Sequence, residues 1–432
     1  MAELALAATS GGEGFAPSLP ARHVAAVAVG NALQFYDFLT YAFFAAQIGR
    51  TFFPSHNPTS SLLASLASFG AGFLTRPVGG VVIGMMGDRI GRKPAMLLSF
   101  TLMGLSILGL ALTPSFAAIG VAAPVAVICF RLVQGFALGG EVGPSTAFLI
   151  EAAPPLRRGL YVSFQYMTQD VAVLAAGLVG LALANLLSGA ALDAWGWRLA
   201  FLIGAAIVPF GLILRGGLPE TLEAAGAREE PSPPFRPYLR VAVIGLVMFA
   251  TAMIANYVLT YMTTFASETL HMRANLAFGA TVVLGLCGIM FDPVGGWLSD
   301  RFGRKPVMFW PWLFLLAVAV PAFWVLAHLR NAVGLFGLVA ILEIPLAISA
   351  SSVLVAITES MPARIRSGAV ATLYAVAVAA FGGTTQFAVT LLIAITGSPL
   401  APAWYLAAAA AAGLIAILLF PETAPAHRKA PA

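Results

Sequence analysis

Hydrophobic positions along the chain come in long blocks. They show neither the alternation of strands nor the one-sided stripes of soluble helices. Twelve stretches are apolar over the ~20 helical residues that a bilayer crossing requires. They span 24–49, 62–86, 94–113, 118–150, 160–187, 197–215, 239–265, 274–298, 306–326, 332–358, 367–395 and 402–420. A transmembrane barrel would show short alternating segments instead. The pattern predicts an all-α polytopic membrane protein with twelve transmembrane helices. The longest polar stretch, 216–238, carries Glu220, Glu223, Arg228, Glu229 and Glu230 with Pro231, Pro233, Pro234 and Pro237. It divides the chain into an N-terminal six-helix bundle (1–215) and a C-terminal one (239–432).

Composition narrows the function. Of the 432 residues, 60% are hydrophobic and 9% charged, against roughly 25% charged in soluble domains. Such a chain cannot cover a soluble surface, which excludes a soluble enzyme, a nucleic-acid-binding domain and a disordered scaffold. The net charge of +5 is dispersed, with no Lys/Arg run longer than two residues, so no nucleic-acid partner is expected. Its sidedness is informative. Of the 23 Lys and Arg, only Arg50, Arg198, Arg273 and Arg330 fall on one side, Arg76 and Arg131 fall inside helices, and the rest share the other side. The positive-inside rule makes that side cytoplasmic. Both termini are then cytoplasmic, and the expected location is a bacterial inner membrane. The first 22 residues hold Glu3, Glu13 and only a short apolar stretch, which reads as a cytosolic tail. Cys129 and Cys287 read as small buried hydrophobes, with no disulfide or metal expected. Trp195, Trp197, Trp310, Trp312 and Trp404 lie near helix ends, where interfacial belts form.

The two halves repeat. Gly84-Met-Met-Gly-Asp88-Arg89-Ile-Gly91-Arg92-Lys93-Pro94 returns as Gly296-Trp-Leu-Ser-Asp300-Arg301-Phe-Gly303-Arg304-Lys305-Pro306. Glu151-x-x-Pro154, followed by Arg157, Arg158 and Gly159, returns as Glu359-x-x-Pro362 with Arg364, Arg366 and Gly368. Pro219-Glu220-Thr221 returns as Pro421-Glu422-Thr423. Duplicated bundles of this kind bind substrate between the halves near the midplane and work by rocking. The doubled motif, with Arg131-x-x-Gln134-Gly135-x-x-x-Gly139, resembles the major facilitator superfamily, which implies two pseudo-symmetric six-helix bundles.

A narrower resemblance rests on Gly30-Asn31-Ala-Leu-Gln34-Phe35-Tyr36-Asp37-Phe38, Phe69-Gly70-Ala-Gly72-Phe73-Leu-Thr-Arg76-Pro77-Val-Gly79-Gly80, Arg131–Glu141, and Trp195-Gly196-Trp197-Arg198-x-x-Phe201. Together these resemble the metabolite:proton symporter family and, within it, citrate and tricarballylate carriers. Gln34 stands where many members carry Glu. The Gly-Pro-Gly-Gly pattern of drug:proton antiporters is absent from helix five.

Charges at mid-bilayer are costly and usually face a cavity or a partner. Asn31, Gln34, Asp37 and Tyr41 share a stripe on helix one, and Arg131, Gln134 and Glu141 share one on helix four. Tyr166, Gln169 and Asp170 share a face of helix five. Tyr257 and Tyr261 flank a polar side of helix seven. These stripes can line one cavity. Arg76 and Arg131 either present fixed positive charge to an anionic substrate or pair permanently with Asp37, Glu141 or Asp170. The five His lie in loops or at helix ends, so proton coupling falls to carboxylates, with Asp37, Glu141 and Asp170 as candidates. Glu343 stands alone in helix ten and reads as structural. Asp292, near Asp300, is expected to serve the cytosolic gate. Asp88, Arg89, Arg92, Asp300, Arg301 and Arg304 are expected to bias the gate. Gly135, Gly139, Gly140 and Gly143 allow close packing of helix four.

The expected function is secondary active, proton-coupled symport of a di- or tricarboxylate such as citrate by alternating access. No cofactor is expected beyond the coupling ion, a proton or alternatively sodium, and a monomer in the lipid bilayer is expected. The alternatives are another metabolite on the same fold (a betaine or a shikimate-like acid), sodium-coupled citrate uptake, or a non-transporting sensor. A sensor would carry a soluble signalling appendage, and no loop here is long enough. A membrane enzyme would show a metal cluster, a nucleophile motif or a phosphate loop, and none is present in the sequence.

Overall fold

The apolar blocks become helices whose ends are set by particular side chains. The computed structural model describes residues 32, 35–36, 38–90, 92–139, 153–216, 238–361 and 363–424. Among these, all regular elements are helical. Helical residues 38–43 lead into α1 (Ala45–Phe52). The second span is α2 (Pro58–Leu74) with α3 (Arg76–Ile90). Then come α4 (Arg92–Leu112), α5 (Ala122–Leu138), α6 (Arg158–Leu186) and α7 (Trp197–Gly216). The second half holds α8 (Leu239–Thr260), α9 (Ala274–Phe302), α10 (Arg304–Leu329) and α11 (Ala332–Glu359). It ends with α12 (Ala363–Ala377), continued by α13 (Gly383–Thr396), and α14 (Ala401–Leu419). Among the described residues, eight helical segments are long and apolar enough to cross a membrane, and 97–112 and 122–138 are shorter apolar helices. The linker 217–237 and residues 140–152 lie outside the described residues.

Caps explain several boundaries. Asn57 accepts the Thr59 N–H (2.9 Å) with Pro58 at the first helical position, and Asn331 accepts the Gly334 N–H (2.8 Å); both satisfy donors a helix start leaves orphaned. Gly303, at φ 98°, turns the chain from α9 into α10. Few other residues tolerate that conformation.

The seam between the halves is α6 against α9, and small residues run along it. A Cβ on Gly159 would meet the Gly296 carbonyl, one on Gly285 would meet the Leu174 backbone, and one on Gly177 would meet Thr281. At the outer end Asn275 Nδ2 donates to Asn185 Oδ1 (3.2 Å). With lipid outside, such close backbone approach replaces the hydrophobic drive available in water. Large apolar side chains such as Leu105, Leu186 and Ile415 point outward.

Two expectations about side-chain placement are corrected. Trp197 and Trp312 are not belt residues: each is at most 1% exposed, whereas Trp195, Trp310 and Trp404 are exposed. Trp197 packs edge-on against Phe52 and Phe201, and Gly413 makes room for the Trp312 ring. Cys129 is exposed rather than buried and Cys287 is half-buried; both are free thiols. Helix position alone does not say which face meets lipid.

Candidate substrate site and cytosolic gate

The centre of the molecule is built around a helix break. Pro77 has no N–H to offer the Phe73 carbonyl. The helix is interrupted at Thr75, whose own N–H turns back to Phe73. The Thr75 hydroxyl donates to the Leu132 carbonyl on α5 (2.6 Å). The break places Arg76 at the start of α3, buried at 6% exposure. Its guanidinium lies 4.4 Å from the Phe38 ring centre and 4.3 Å from that of Phe73. Its Nε and Nη2 meet no acceptor among the described residues.

Arg131, on α5, meets the same Phe38 ring. Its guanidinium lies 4.5 Å from the Phe38 centroid, 4.6 Å from Tyr41 and 4.9 Å from Phe69. It donates to the Gln134 side chain and to the Phe69 carbonyl (3.3 Å). Its Nε is unpartnered, and the residue is 0% exposed. Glycines set this proximity: a Cβ on Gly135 would overlap the Gly72 carbonyl, and one on Gly139 would overlap that of Arg76. Among the described residues, no ion pair involves either arginine. A cation–π contact contributes about 0.5–2 kcal/mol, whereas burying a charge costs several. Among the described residues, the aromatic faces offset only part of that cost.

The second half closes over this pair. Tyr257 on α8 meets Phe69 and Phe73 (ring centres 6.2 and 5.6 Å). A Cβ on Gly70 would press on the Gly383 carbonyl of α13. Between α12 and α13 a wide π-turn, Val378–Gly382, brings Gly382 against the Tyr257 ring. A cavity of about 20 Å³ lies beside Arg76, lined by Leu138 and Gly139 from the first half and Ala371, Tyr374, Ala375 and Val378 from the second. That is room for about one water. A carboxylate with several carbons fits only after α12 and α13 draw back from α2 and α3.

The structure thus gathers Arg76, Arg131, Gln134, Tyr41 and Tyr257. Tyr41 is held by Ser68 and the Ser65 carbonyl (3.5 Å). Tyr261 is engaged elsewhere, accepting from Thr390 on α13 (2.9 Å). Tyr166, Gln169 and Asp170 lie half-buried on α6, where Asp170 faces Asp292 rather than an arginine. Asn31, Gln34, Asp37 and Glu141 lie outside the described residues. The sequence reading missed Phe38, Phe69, Phe73, Tyr374 and Gln386. Phe69, Phe73 and Arg76 fall at i, i+4 and i+7, one helix face, and that spacing was available in the sequence. Gln386 on α13 is 1% exposed with both amide atoms unpartnered among the described residues.

Two expectations about acids are corrected. Glu343 on α11 is not isolated, and Asp292 is not at the gate. Both share a buried cluster with Asp170. Asp292 lies eight residues, about 12 Å of helix, before the gate residue Asp300.

At one end of the bundle, the C-terminal copies of all three repeated motifs converge. Asp300 accepts the N–H of Gly159 (2.8 Å) and Leu160 (2.9 Å), capping α6 of the other half. Arg304 bridges Asp300 (2.7 Å) and Glu359 (3.2 Å). Glu359 also faces Arg158 across the seam (3.8 Å) and accepts from the Thr423 hydroxyl (3.0 Å). Glu422 accepts the N–H groups of Arg304 (3.0 Å), Lys305, Thr423 and Ala424 (each 2.9 Å). Partial burial works to raise the Glu422 carboxyl, but these four donors prevail and hold it below the ordinary carboxylate range. Arg301 lies over the rings of Trp297 and Phe302 at the surface. The side chains of Asp88, Arg89 and Arg92 lie outside the described residues. At the opposite end Arg50 joins Asp193 (3.0 Å) and Glu268 (3.4 Å), linking the end of α1 to the π-turn Phe265–Thr269 that follows α8.

Known proteins resemble this chain over most of its length. A citrate-proton symporter of Klebsiella pneumoniae is 37% identical over 396 residues, covering 90% of this chain and 89% of that protein. An alpha-ketoglutarate permease of Escherichia coli is 35% identical over 409 residues, covering 93% and 92%. The crystal structure of a D-xylose-proton symporter matches with a TM-score of 0.76 at 18% identity, covering 94% of this chain and 98% of that one; that likeness concerns the fold. The protein is a multi-pass membrane transporter and not an enzyme. The Major Facilitator Superfamily model matches residues 27–383, the doubled motif sits at the gate in the described half, and the chain belongs to the Major Facilitator Superfamily.

Proposed function

We propose that this protein carries a di- or tricarboxylate, citrate or a near relative, into the cell together with protons by alternating access. It acts as a monomer in a bacterial inner membrane with both termini cytoplasmic. The observation that carries the reading is the pair of buried guanidiniums, Arg76 and Arg131, without a carboxylate partner among the described residues. A guanidinium matches a carboxylate through two parallel N–H donors, so two of them suit a substrate with at least two carboxylates. The citrate and 2-oxoglutarate carriers among the relatives support that class. No cofactor is needed beyond the coupling ion. Substrate binding draws Tyr257 and Tyr374 onto the arginine pair, and the halves rock when the gate network breaks.

Purified protein in liposomes tests this. Labelled citrate or 2-oxoglutarate should accumulate when the interior is alkaline, with or without sodium. Accumulation that needs sodium at equal pH would replace the proton. Failure to take up any acid of a panel including shikimate, with uptake of glycine betaine instead, would replace the substrate.

A further inference from the structure

Three carboxyl groups lie in the membrane away from the arginine pair. Asp170 on α6, Asp292 on α9 and Glu343 on α11 act on one another. Asp292 is 1% exposed and Glu343 4%. Oδ2 of Asp292 and Oε2 of Glu343 receive no hydrogen bond among the described residues. The register of the seam brings the acids together. The Asp170 carboxyl occupies the space that a Cβ on Gly288 would fill, and Asp292 is one turn further along α9. α6 belongs to the first half, α9 and α11 to the second, so the cluster spans the seam.

Among the described residues, its surroundings supply no cation. The other titratable groups acting within the cluster are Tyr166 on α6, Cys287 on α9 and, through Tyr166, Tyr374 on α12. The ion pairs among the described residues involve none of the three acids. An ionised carboxylate in a dry site is strongly disfavoured unless paired, and neighbouring carboxylates repel. A metal ion would need converging ligands, and among the described residues no three His, Cys, Asp or Glu are placed to hold one. A proton needs no coordination shell.

We propose that Asp170, Asp292 and Glu343 are the proton-binding site of the transport cycle, loaded while the α6–α9 seam is closed and emptied when it parts. The inference rests on the proton-coupled reading above. Protons neutralise the acids while substrate neutralises the arginines. The two sites share no residue: the acids sit on the α6–α9 seam, the arginines where α2, α3 and α5 meet α8 and α12. Protons pass from water on one side to the carboxylates and on to water on the other side, with no covalent change.

The test measures protons moved per citrate in proteoliposomes, using an internal pH dye and labelled citrate flowing down its own gradient. Wild-type protein that moves citrate without protons would sink the symport reading itself. Given wild-type coupling, Asp170→Asn, Asp292→Asn and Glu343→Gln are read as the ratio of protons to citrate, which is independent of the absolute rate. At least one should lower it by about two-fold or more. An unchanged ratio in all three overturns the proposal while leaving symport intact. Should the variants fail to fold, wild-type protein in nanodiscs is treated with dicyclohexylcarbodiimide, an apolar reagent that adds to protonated carboxyls. Mass spectrometry should find adducts on one of the three acids, declining as pH rises. Labelling elsewhere in the membrane but on none of the three at pH 6 also overturns it.

Discussion

Arg131 and Arg304 are the same residue type at nearly the same burial, 0% and 1% exposed. Arg304 meets two carboxylates, Asp300 and Glu359, and its own backbone N–H is capped by Glu422. Arg131 meets rings, an amide and a carbonyl. At the gate, the cost of burying charge is offset inside the protein, so the arginine is part of the structure. At the centre the described residues leave much of that cost standing, which is what the proposed anion-binding role requires. Burial alone does not separate the two roles; the identity of the partner does.

The largest expected effect breaks the central side of this contrast. Arg76→Ala and Arg131→Ala should each weaken binding of citrate or 2-oxoglutarate by at least about 100-fold, roughly 3 kcal/mol, the loss seen when one member of a buried charged pair is removed. Titration calorimetry reads it. Without substrate, the melting temperature should hold or rise, because an incompletely compensated charge has gone. A variant that binds normally would remove that arginine from the site. Arg131→Lys should recover little, since an ammonium cannot form the two-pronged contact.

The gate side should respond in the opposite sense. Arg304→Ala leaves Asp300 and Glu359 buried without their cation and should destabilise the protein by about 3–5 kcal/mol, visible as a marked fall in melting temperature without substrate. No fall would mean that the network is idle in this conformation. The smallest effect concerns Glu422. Its carboxyl is held low by four N–H donors, so its contribution is present above the ordinary glutamate pKa of about 4.3 and is lost as pH falls through the depressed value. Glu422→Gln should cost about 1 kcal/mol at pH 7, the scale of a helix cap. The gap to wild type should close in acid. A gap unchanged between pH 7 and pH 3.5 would show that charge is not what Glu422 contributes.

Much of this architecture is legible in the chain because it is periodic or repeated. Where the structure describes them, the apolar blocks coincide with the helices to within a few residues, and Asp300 and Arg304 stand out because their motif occurs twice. Helix-to-helix meetings are not legible that way. Asp292 and Glu343 lie on different helices with 50 residues between them, and only the packing of α6, α9 and α11 joins them to Asp170. Trp197 and Trp312 sit near helix ends like belt residues, yet their helices turn them inward. The Phe38 ring shared by the two arginines comes from helical residues packed across α2 and α5, which no spacing within helix one reveals.

The Arg50 clasp at one end differs from the Arg304 network at the other in medium as well as in partners. Arg50 and Asp193 are about two-fifths exposed and Glu268 one-quarter, so dissolved ions reach all three. Exposed pairs of this kind contribute at most about 1 kcal/mol and fade with ionic strength. The buried pairs around Arg304 are shielded from the same ions. Dissolved salt should therefore weaken the clasp at one end and leave the network at the other intact, so that ionic strength on the Arg50 side alone shifts how firmly that end is held.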